Sequence, residues 1–188
     1  MAIAAYTKTC AKNVAGNFNK VFFNKISEVK TCTLASGEIT TGFAIDSAKF
    51  QMYQAEIDSV QFKMEGNGAQ NYFTTQTITM KFAKKTVGLV AAIDALAAEI
   101  PCGVAIIHVD GNGVAWLSGY DVAAYDPTSR PFNKMKVTFD SGTKPSDAEG
   151  NAVIVELSRE SEWANVPFNA TISAAIISGT ATTIIDYT

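Results

Sequence analysis

The sequence is poor in the side chains that most often perform acid–base, nucleophilic or metal chemistry. Its 188 residues include one His, two Arg and three Cys, and only 18% of them are charged. Histidine is the usual general base near neutral pH, and Cys and His are the usual ligands of structural zinc. This scarcity argues against an enzyme, and we expect no catalytic residues, no metal site and no cofactor.

The chain also lacks an excess of positive charge. Its net charge is −3, which gives no general attraction to nucleic-acid phosphates. Residues 1–36 contain five Lys and one Glu, whereas residues 37–188 contain 10 basic and 17 acidic residues. We therefore predict a basic N-terminal arm or extension over residues 1–36 and a single β-rich domain over 37–188. The lysines of the arm are Lys8, Lys12, Lys20, Lys25 and Lys30. They belong either to a solvated segment or to one that docks on an acidic neighbouring copy.

Long hydrophobic runs and paired cysteines are missing as well. No stretch of about 18 apolar residues occurs, so we expect no membrane span. The first residues have no basic group before a short apolar stretch, and we expect no secretory signal peptide. Cys10, Cys32 and Cys102 are odd in number and lack C-x-x-C spacing. This predicts free thiols in a reducing compartment.

What the sequence does contain is alternation of apolar and polar residues, the pattern of strands with one buried face. Residues 59–65 alternate in this way and precede Gly66-Asn67-Gly68, which favours a turn. The alternating segment 72–82 is the expected antiparallel partner. Further strands are predicted near 29–34, around Phe50 and Met52, and over 135–139 and 153–157.

One segment has helical spacing instead. Thr86 is a suitable N-cap, and Pro101 cannot continue a helix, so we predict an α-helix at about 86–100. Its apolar stripe is formed by Leu89, Ala92, Ile93, Leu96, Ala97 and Ile100. We expect this stripe to pack on a sheet and to carry no chemistry.

The segments after this helix complete the predicted fold. Residues 102–110, CGVAIIHVD, form a continuous apolar run typical of a strand buried on both faces, and Gly111-Asn112-Gly113 predicts a second hairpin. From Phe168 onward we predict two β segments divided at Ser178-Gly179. The fold class is therefore mainly β, an antiparallel β-barrel or β-sandwich with one flanking α-helix.

A search for catalytic or metal-binding sets finds none. Cys102 and His108 would lie about 20 Å apart on a regular strand, too far for a nucleophile and its base. His108 and Asp110 share a strand face, but two groups without a third partner do not predict a metal site. The string Asp110-Gly111-Asn112-Gly113 resembles the start of a calcium loop, yet Val114 stands where an oxygen ligand is needed. We interpret it as a turn.

The order of these segments resembles that of a known class of proteins. The hairpin DSVQFKMEGNG with ITMKF, the helix LVAAIDALAAEI and the strand PCGVAIIHVDGNGVAWLSGY are followed by RPF, SGTKPSDAEGN and a Thr-rich β segment. In this order they resemble structural proteins of tailed bacteriophages of Bacteroides-type hosts. Tail tube and related ring proteins are the most similar in the order of these segments. The resemblance covers roughly Val29 to Thr188.

The resemblance implies a function in assembly. Proteins of that class form rings, commonly hexameric, that stack into a conduit for the genome. The implied partners are copies of the chain itself and other tail or neck proteins, without a membrane, and DNA passes without specific binding. The implied location is the virion tail, after synthesis in the cytoplasm of the host bacterium. No catalytic residue is carried over.

A long connection between two predicted strands is the candidate assembly loop. Residues 141–152 combine Gly, Ser, Pro and charge without periodicity and exceed the usual length of a hairpin turn. The residues that we single out in this loop are Ser141, Lys144, Asp147, Glu149 and Asn151. The loop either contacts an adjoining ring or is a plain surface loop.

A second class of function is a β-sandwich binding module on a virion or cell surface. Such a module would decorate a capsid or recognise carbohydrate, and it would use aromatic side chains for stacking. The candidates are Trp116, Trp163, Tyr120 and Tyr125.

Overall fold

A computed structural model describes residues 17–40, 43–66, 74–82, 85–120, 131–139, 152–161 and 165–187. In chain order its strands are β1 (Asn17–Lys25), β2 (Val29–Thr31), β3 (Leu34–Ala35), β4 (Glu38–Ile39), β5 (Ala44–Ile45), β6 (Phe50–Gln54), β7 (Val60–Gly66), β8 (Thr74–Phe82), β9 (Val104–Asp110), β10 (Ala115–Ser118), β11 (Lys134–Phe139), β12 (Val153–Ser161), β13 (Val166–Pro167) and β14 (Ile185–Asp186). The helices are α1 (Val87–Glu99) and α2 (Ala170–Ser178), and a 3-10 turn spans Ile26–Glu28.

Two sheets form most of the structure. The larger sheet has six strands in the order β13-β10-β9-β1-β6-β14, and all its neighbours are antiparallel except β14 and β6. The smaller sheet is fully antiparallel, in the order β11-β12-β8-β7. The short pairs β2–β5 and β3–β4 lie outside both sheets. The predicted mainly β, antiparallel class is confirmed in its sandwich form, because neither sheet closes into a barrel over the described strands.

The larger sheet is buried on both faces. One face contributes Val21, Phe23 and Ile106 to a core shared with the smaller sheet and α1. The opposite face contributes Phe22 and Ile107 to a second core that includes residues of α2. Burial from both sides explains why residues 104–109 are all buried, as the continuous apolar run predicted.

The predicted hairpins and the predicted helix are confirmed. In the first hairpin Val60 of β7 lies opposite Met80 of β8, and in the second Ala115 of β10 lies opposite Val109 of β9. The N-terminus of α1 is capped by Thr86, whose Oγ1 accepts a hydrogen bond of 3.1 Å from the Leu89 amide. The strands β6, β11 and β12 also lie where alternation predicted them.

The C-terminal region differs from the prediction. Residues 170–178 form α2 instead of a strand, and the second predicted β segment is only the two-residue β14. Asn169 caps the helix by accepting a hydrogen bond of 2.8 Å from the Ile172 amide. Gly179 ends it with a φ of +77°, which is typical of a helix C-terminus. These two end signals outweigh the β-branched composition of the segment.

The N-terminal region also differs. Strand β1, which periodicity did not predict, lies between β9 and β6 in the larger sheet. Residues 17–25 are therefore a central part of the sandwich and not an extension from it. The rest of the predicted arm, residues 1–16, lies outside the described residues.

Leu96 of α1 provides a test of helix packing. Its side chain is 6% exposed and belongs to the core between the sheets, so Leu96→Ala should lower the free energy of unfolding by about 2 to 5 kcal/mol. Urea unfolding measures the change. Asp94→Ala, at an exposed position of the same helix, is the control and should change stability by less than about 0.5 kcal/mol. Equal effects of the two variants would contradict the packing.

Candidate functional site

The outer face of the smaller sheet is polar and accessible. Along β8 it presents Thr75, Thr77 and Thr79, which are half-buried, beside equally half-buried positions of β12. Lysines on this face pair with glutamates: Lys63 Nζ lies 2.6 Å from Glu65, and Lys134 Nζ lies 3.3 Å from Glu160. The face is therefore close to neutral and rich in hydroxyl groups.

Three exposed hydrophobic side chains lie at one end of the sandwich. Ile57 precedes β7 and is 81% exposed, Val87 begins α1 and is 90% exposed, and Phe139 ends β11 and is 43% exposed. Phe139 lies opposite Val153 of β12, and Val153 lies opposite Phe82, the last residue of β8. Val87 follows β8 in the chain, and Ile57 precedes β7, the antiparallel partner of β8. The register of the smaller sheet therefore brings all three residues to the same end. We call these three residues the apolar end.

A groove of about 500 Å³ lies beside the apolar end. It runs between α1 and the end of β6, and its lining includes Tyr53, Ala55, Phe82 and Leu89. Glu56 and Thr86, the sequence neighbours of Ile57 and Val87, also line it. The Tyr53 hydroxyl donates a hydrogen bond of 2.8 Å to the Ala92 carbonyl across the groove. The walls are held together by this contact and offer no cluster of reactive groups.

Polar side chains lie buried on the inner face of the smaller sheet. Arg159 of β12 is 2% exposed, and its Nε donates a hydrogen bond of 2.6 Å to Oε1 of Gln76 on β8. The Arg159 guanidinium also lies over the ring of Phe132, 5.4 Å from its centroid. This arrangement fixes the pairing of β12 with β8, because a buried guanidinium requires its partners.

His108 is the second buried polar group between the sheets. Its ring stacks on Phe62 with centroids 4.2 Å apart and planes at 12°. Burial lowers the pKa of the imidazole to about 3, although the charge of Asp110 acts in the opposite direction. The imidazole is therefore neutral at physiological pH.

Asp110 serves the turn between β9 and β10. Its Oδ1 accepts hydrogen bonds of 2.9 Å from the amides of Asn112 and Val114. Its Oδ2 accepts one of 3.0 Å from Trp116 Nε1. The interpretation of this string as a turn agrees with these contacts. In the part of the chain that the structure describes, no three His, Cys, Asp or Glu side chains form a group that could hold a metal ion.

Three of the five lysines of the predicted basic arm, Lys20, Lys25 and Lys30, lie among the described residues. Lys25 Nζ lies 2.8 Å from Glu99 of α1, and that hydrogen bond and charge raise the pKa of Lys25. Lys30 Nζ lies 3.3 Å from Asp46, and Lys20 is half-buried on β1. The other two lysines of the arm, Lys8 and Lys12, lie outside the described residues. Lys25 and Lys30 thus pair with carboxylates of the same chain.

The other predicted residues divide between described and undescribed parts. All five assembly-loop residues, Ser141, Lys144, Asp147, Glu149 and Asn151, lie outside the described residues, as do Trp163 and Tyr125. Trp116 is half-buried and bonded to Asp110, and Tyr120 is buried with its hydroxyl 3.4 Å from the Lys30 carbonyl. Neither of these two aromatic rings forms an exposed stacking platform.

The cysteines described by the structure are free thiols. Cys32 is buried, and burial raises its pKa to about 12, whereas Cys102 is exposed at the end of α1. Cys10 lies outside the described residues. Cys32 is therefore protonated and unreactive at neutral pH.

Comparisons with known proteins identify no relative of this chain. No family model, no curated protein and no solved structure matches the chain. Among the described residues, no helix is long and apolar enough to cross a membrane.

Asp110→Ala tests the structural role of this carboxylate. The change removes the acceptor of two amides and one indole N–H, so we expect a loss of about 1 to 3 kcal/mol in the free energy of unfolding. Faster hydrogen exchange in residues 110–116 should accompany it. Asp94→Ala removes an exposed carboxylate of α1 and is the control, with an expected change below about 0.5 kcal/mol. Unchanged exchange in the hairpin would contradict the role.

Proposed function

We propose that this protein is a structural subunit of a phage tail. In this proposal copies of the chain assemble into rings, and stacked rings form a tube through which the genome passes. The proposal is carried by the smaller sheet, which has one face in the core and one polar, accessible face. An accessible sheet face and unpaired edge strands are surfaces to which further copies of the chain can bind.

The direction of the strands is compatible with closure into a ring. The smaller sheet has four antiparallel strands, so its two terminal strands, β11 and β7, run in opposite directions. When copies repeat side by side, β11 of one copy is antiparallel to β7 of the next. Antiparallel pairs are the more stable type. A head-to-tail contact of this kind generates a ring if its rotation closes.

The apolar end supports stacking of rings. Ile57, Val87 and Phe139 expose hydrophobic surface at one end of the sandwich, and burial of this surface against another ring would be favourable. The candidate assembly loop connects β11 to β12, and its flanking strands also end there. In this proposal the loop contacts an adjoining ring or other tail or neck proteins.

The charge distribution is compatible with a passage for DNA. The net charge of the chain is −3, and on the outer face of the smaller sheet Lys63 and Lys134 are paired with glutamates. Paired lysines offer little free positive charge to phosphates. DNA would therefore pass without binding specifically.

The alternative, a carbohydrate-binding or decorating module, has less support among the described residues. Such a site needs exposed aromatic rings, but Tyr120 is buried and Trp116 is bonded to Asp110. We therefore keep assembly as the proposed function.

Purified protein tests the proposal directly. Negative-stain microscopy and light scattering should show rings or tubes at high protein concentration. A monomer that persists at high concentration, in several salt conditions and with intact termini would contradict the proposal. Monodisperse small particles would favour the binding module.

The double variant Ile57→Lys/Val87→Lys tests the apolar end. Both side chains are more than four-fifths exposed, so the subunit should fold with nearly unchanged stability. Two charges in a hydrophobic contact should shorten or abolish tubes in negative stain. The control Ala97→Lys/Ala98→Lys adds the same charge at exposed positions of α1 and should assemble normally. Tubes of normal length in the first variant would exclude the apolar end as a stacking surface.

Replacement of residues 141–152 by a two-residue turn tests the assembly loop. Because Phe139 and Val153 already lie opposite each other, the flanking strands should stay paired and the subunit should fold. Stacking should be impaired, and microscopy would show single rings or short tubes. Particles of normal length and stability would identify the segment as a plain surface loop.

A further inference from the structure

His108 is the single histidine of the chain, and it lies at the contact between the two sheets. It is 3% exposed, and on the larger sheet its neighbours are Val21 of β1 and Trp116 of β10. From the smaller sheet Phe62 of β7 stacks on the imidazole, with ring centroids 4.2 Å apart. This ring contact joins β7, a terminal strand of the smaller sheet, to the middle of the larger sheet.

The surroundings of His108 do not favour a positive charge. Its Nδ1 is buried and has no hydrogen-bond partner in the described structure. On its own strand Asp110 is near, but that carboxylate already accepts bonds from two amides and an indole. Among the described residues, the charged groups on the inner faces of the other strands are cations. They are Arg159 on β12 and Lys25 on β1, and the latter is paired with Glu99.

The remaining neighbours of the imidazole are uncharged. On β7 the flanking inner positions are Val60 and Met64, and on β8 they are Gln76 and Ile78. On β10, Ser118 is buried and its Oγ has no partner among the described residues. A protonated imidazole would therefore lack a carboxylate that is not already engaged by other donors.

We propose that His108 makes the packing of β7 on the larger sheet sensitive to acid, so that protonation of the imidazole separates the sheets at β7 while the remaining strands stay paired. The opening follows from geometry. Phe62 stacks on the imidazole from the smaller sheet, so movement of β7 away from the larger sheet would open this face of the ring to water. Within one copy, β7 pairs with β8 alone in the described part of the smaller sheet, so it can move without breaking the β8–β12 pairing.

The expected pH range follows from the two states. Burial holds the pKa of His108 at about 3 in the closed state, whereas an exposed histidine has a pKa near 6.5. The open state therefore binds the proton more tightly, and acid favours it. Between about pH 6.5 and pH 3, each decrease of one pH unit should increase the open population up to about tenfold. Well above pH 6.5, His108 should no longer make the open population depend on pH.

Hydrogen exchange followed by mass spectrometry tests this opening. After correction for the intrinsic pH dependence of exchange, peptides from β7 should open about fiftyfold more often at pH 4.5 than at pH 6.5. Peptides from β12 should keep their protection. Equal loss of protection in β7 and β12 would indicate global unfolding and would overturn the proposal.

Two variants separate the charge from the ring contact. His108→Phe keeps an aromatic ring against Phe62 but cannot take up a proton, so opening of β7 should become independent of pH. Phe62→Leu weakens the contact but keeps the histidine, so β7 should open more at every pH with the tenfold dependence retained. A His108→Phe protein with the same pH dependence as the parent would overturn the proposal.

A measurement on the unaltered protein tests the proposal even if the variants fail to fold. Since there is one histidine, its Cε1 proton gives a single histidine signal in an NMR titration. We expect no change in this signal between pH 7.5 and pH 5.5 in the closed state. A folded protein whose histidine titrates near pH 6.5 would overturn the proposal, whether or not the protein forms rings.

Discussion

The structure depends on the burial of β9 from both sides. Every side chain from residue 104 to residue 109 is buried, so each face of the strand needs its own apolar layer. The smaller sheet and α1 cover one face, and α2 with the residues around Phe50 and Phe168 covers the other. The strands β1 and β10 satisfy the backbone groups of β9 on its two sides. Removal of any one layer would therefore expose the centre of the molecule.

The two sheets differ in what they offer to the outside. The larger sheet has no open face along β9 and β1, whereas the smaller sheet has a polar face of threonines and paired charges. The buried Arg159–Gln76 pair and the His108–Phe62 stack lie between them. Polar groups at this contact reduce the purely hydrophobic attraction and make the relative position of the sheets more specific. The contact between the sheets is thus held by specific polar and aromatic pairs as well as by apolar packing.

Alternation and helical spacing predicted the elements that have one buried face. The hairpin of β7 and β8, the strands β11 and β12, and α1 with its Thr86 cap all follow from such patterns. Strand β1 was missed because Val21, Phe22 and Phe23 are consecutive and face two different cores. Helix α2 was missed because its isoleucines favour strands, although Asn169 and Gly179 mark its ends. The His108–Phe62 contact depends on the packing of two sheets, which no local pattern encodes.

The parallel pairing of β14 with β6 has a consequence for synthesis of the chain. Ile185 lies beside Phe50, which is fully buried in the finished structure. A ribosome makes β7 through α2 after β6 and before β14, so the nascent chain carries an unprotected edge at β6 throughout that interval. Such edges recruit other strands, and contacts between distant segments form slowly. Newly made chains are thus exposed to mispairing at β6 until β14 emerges.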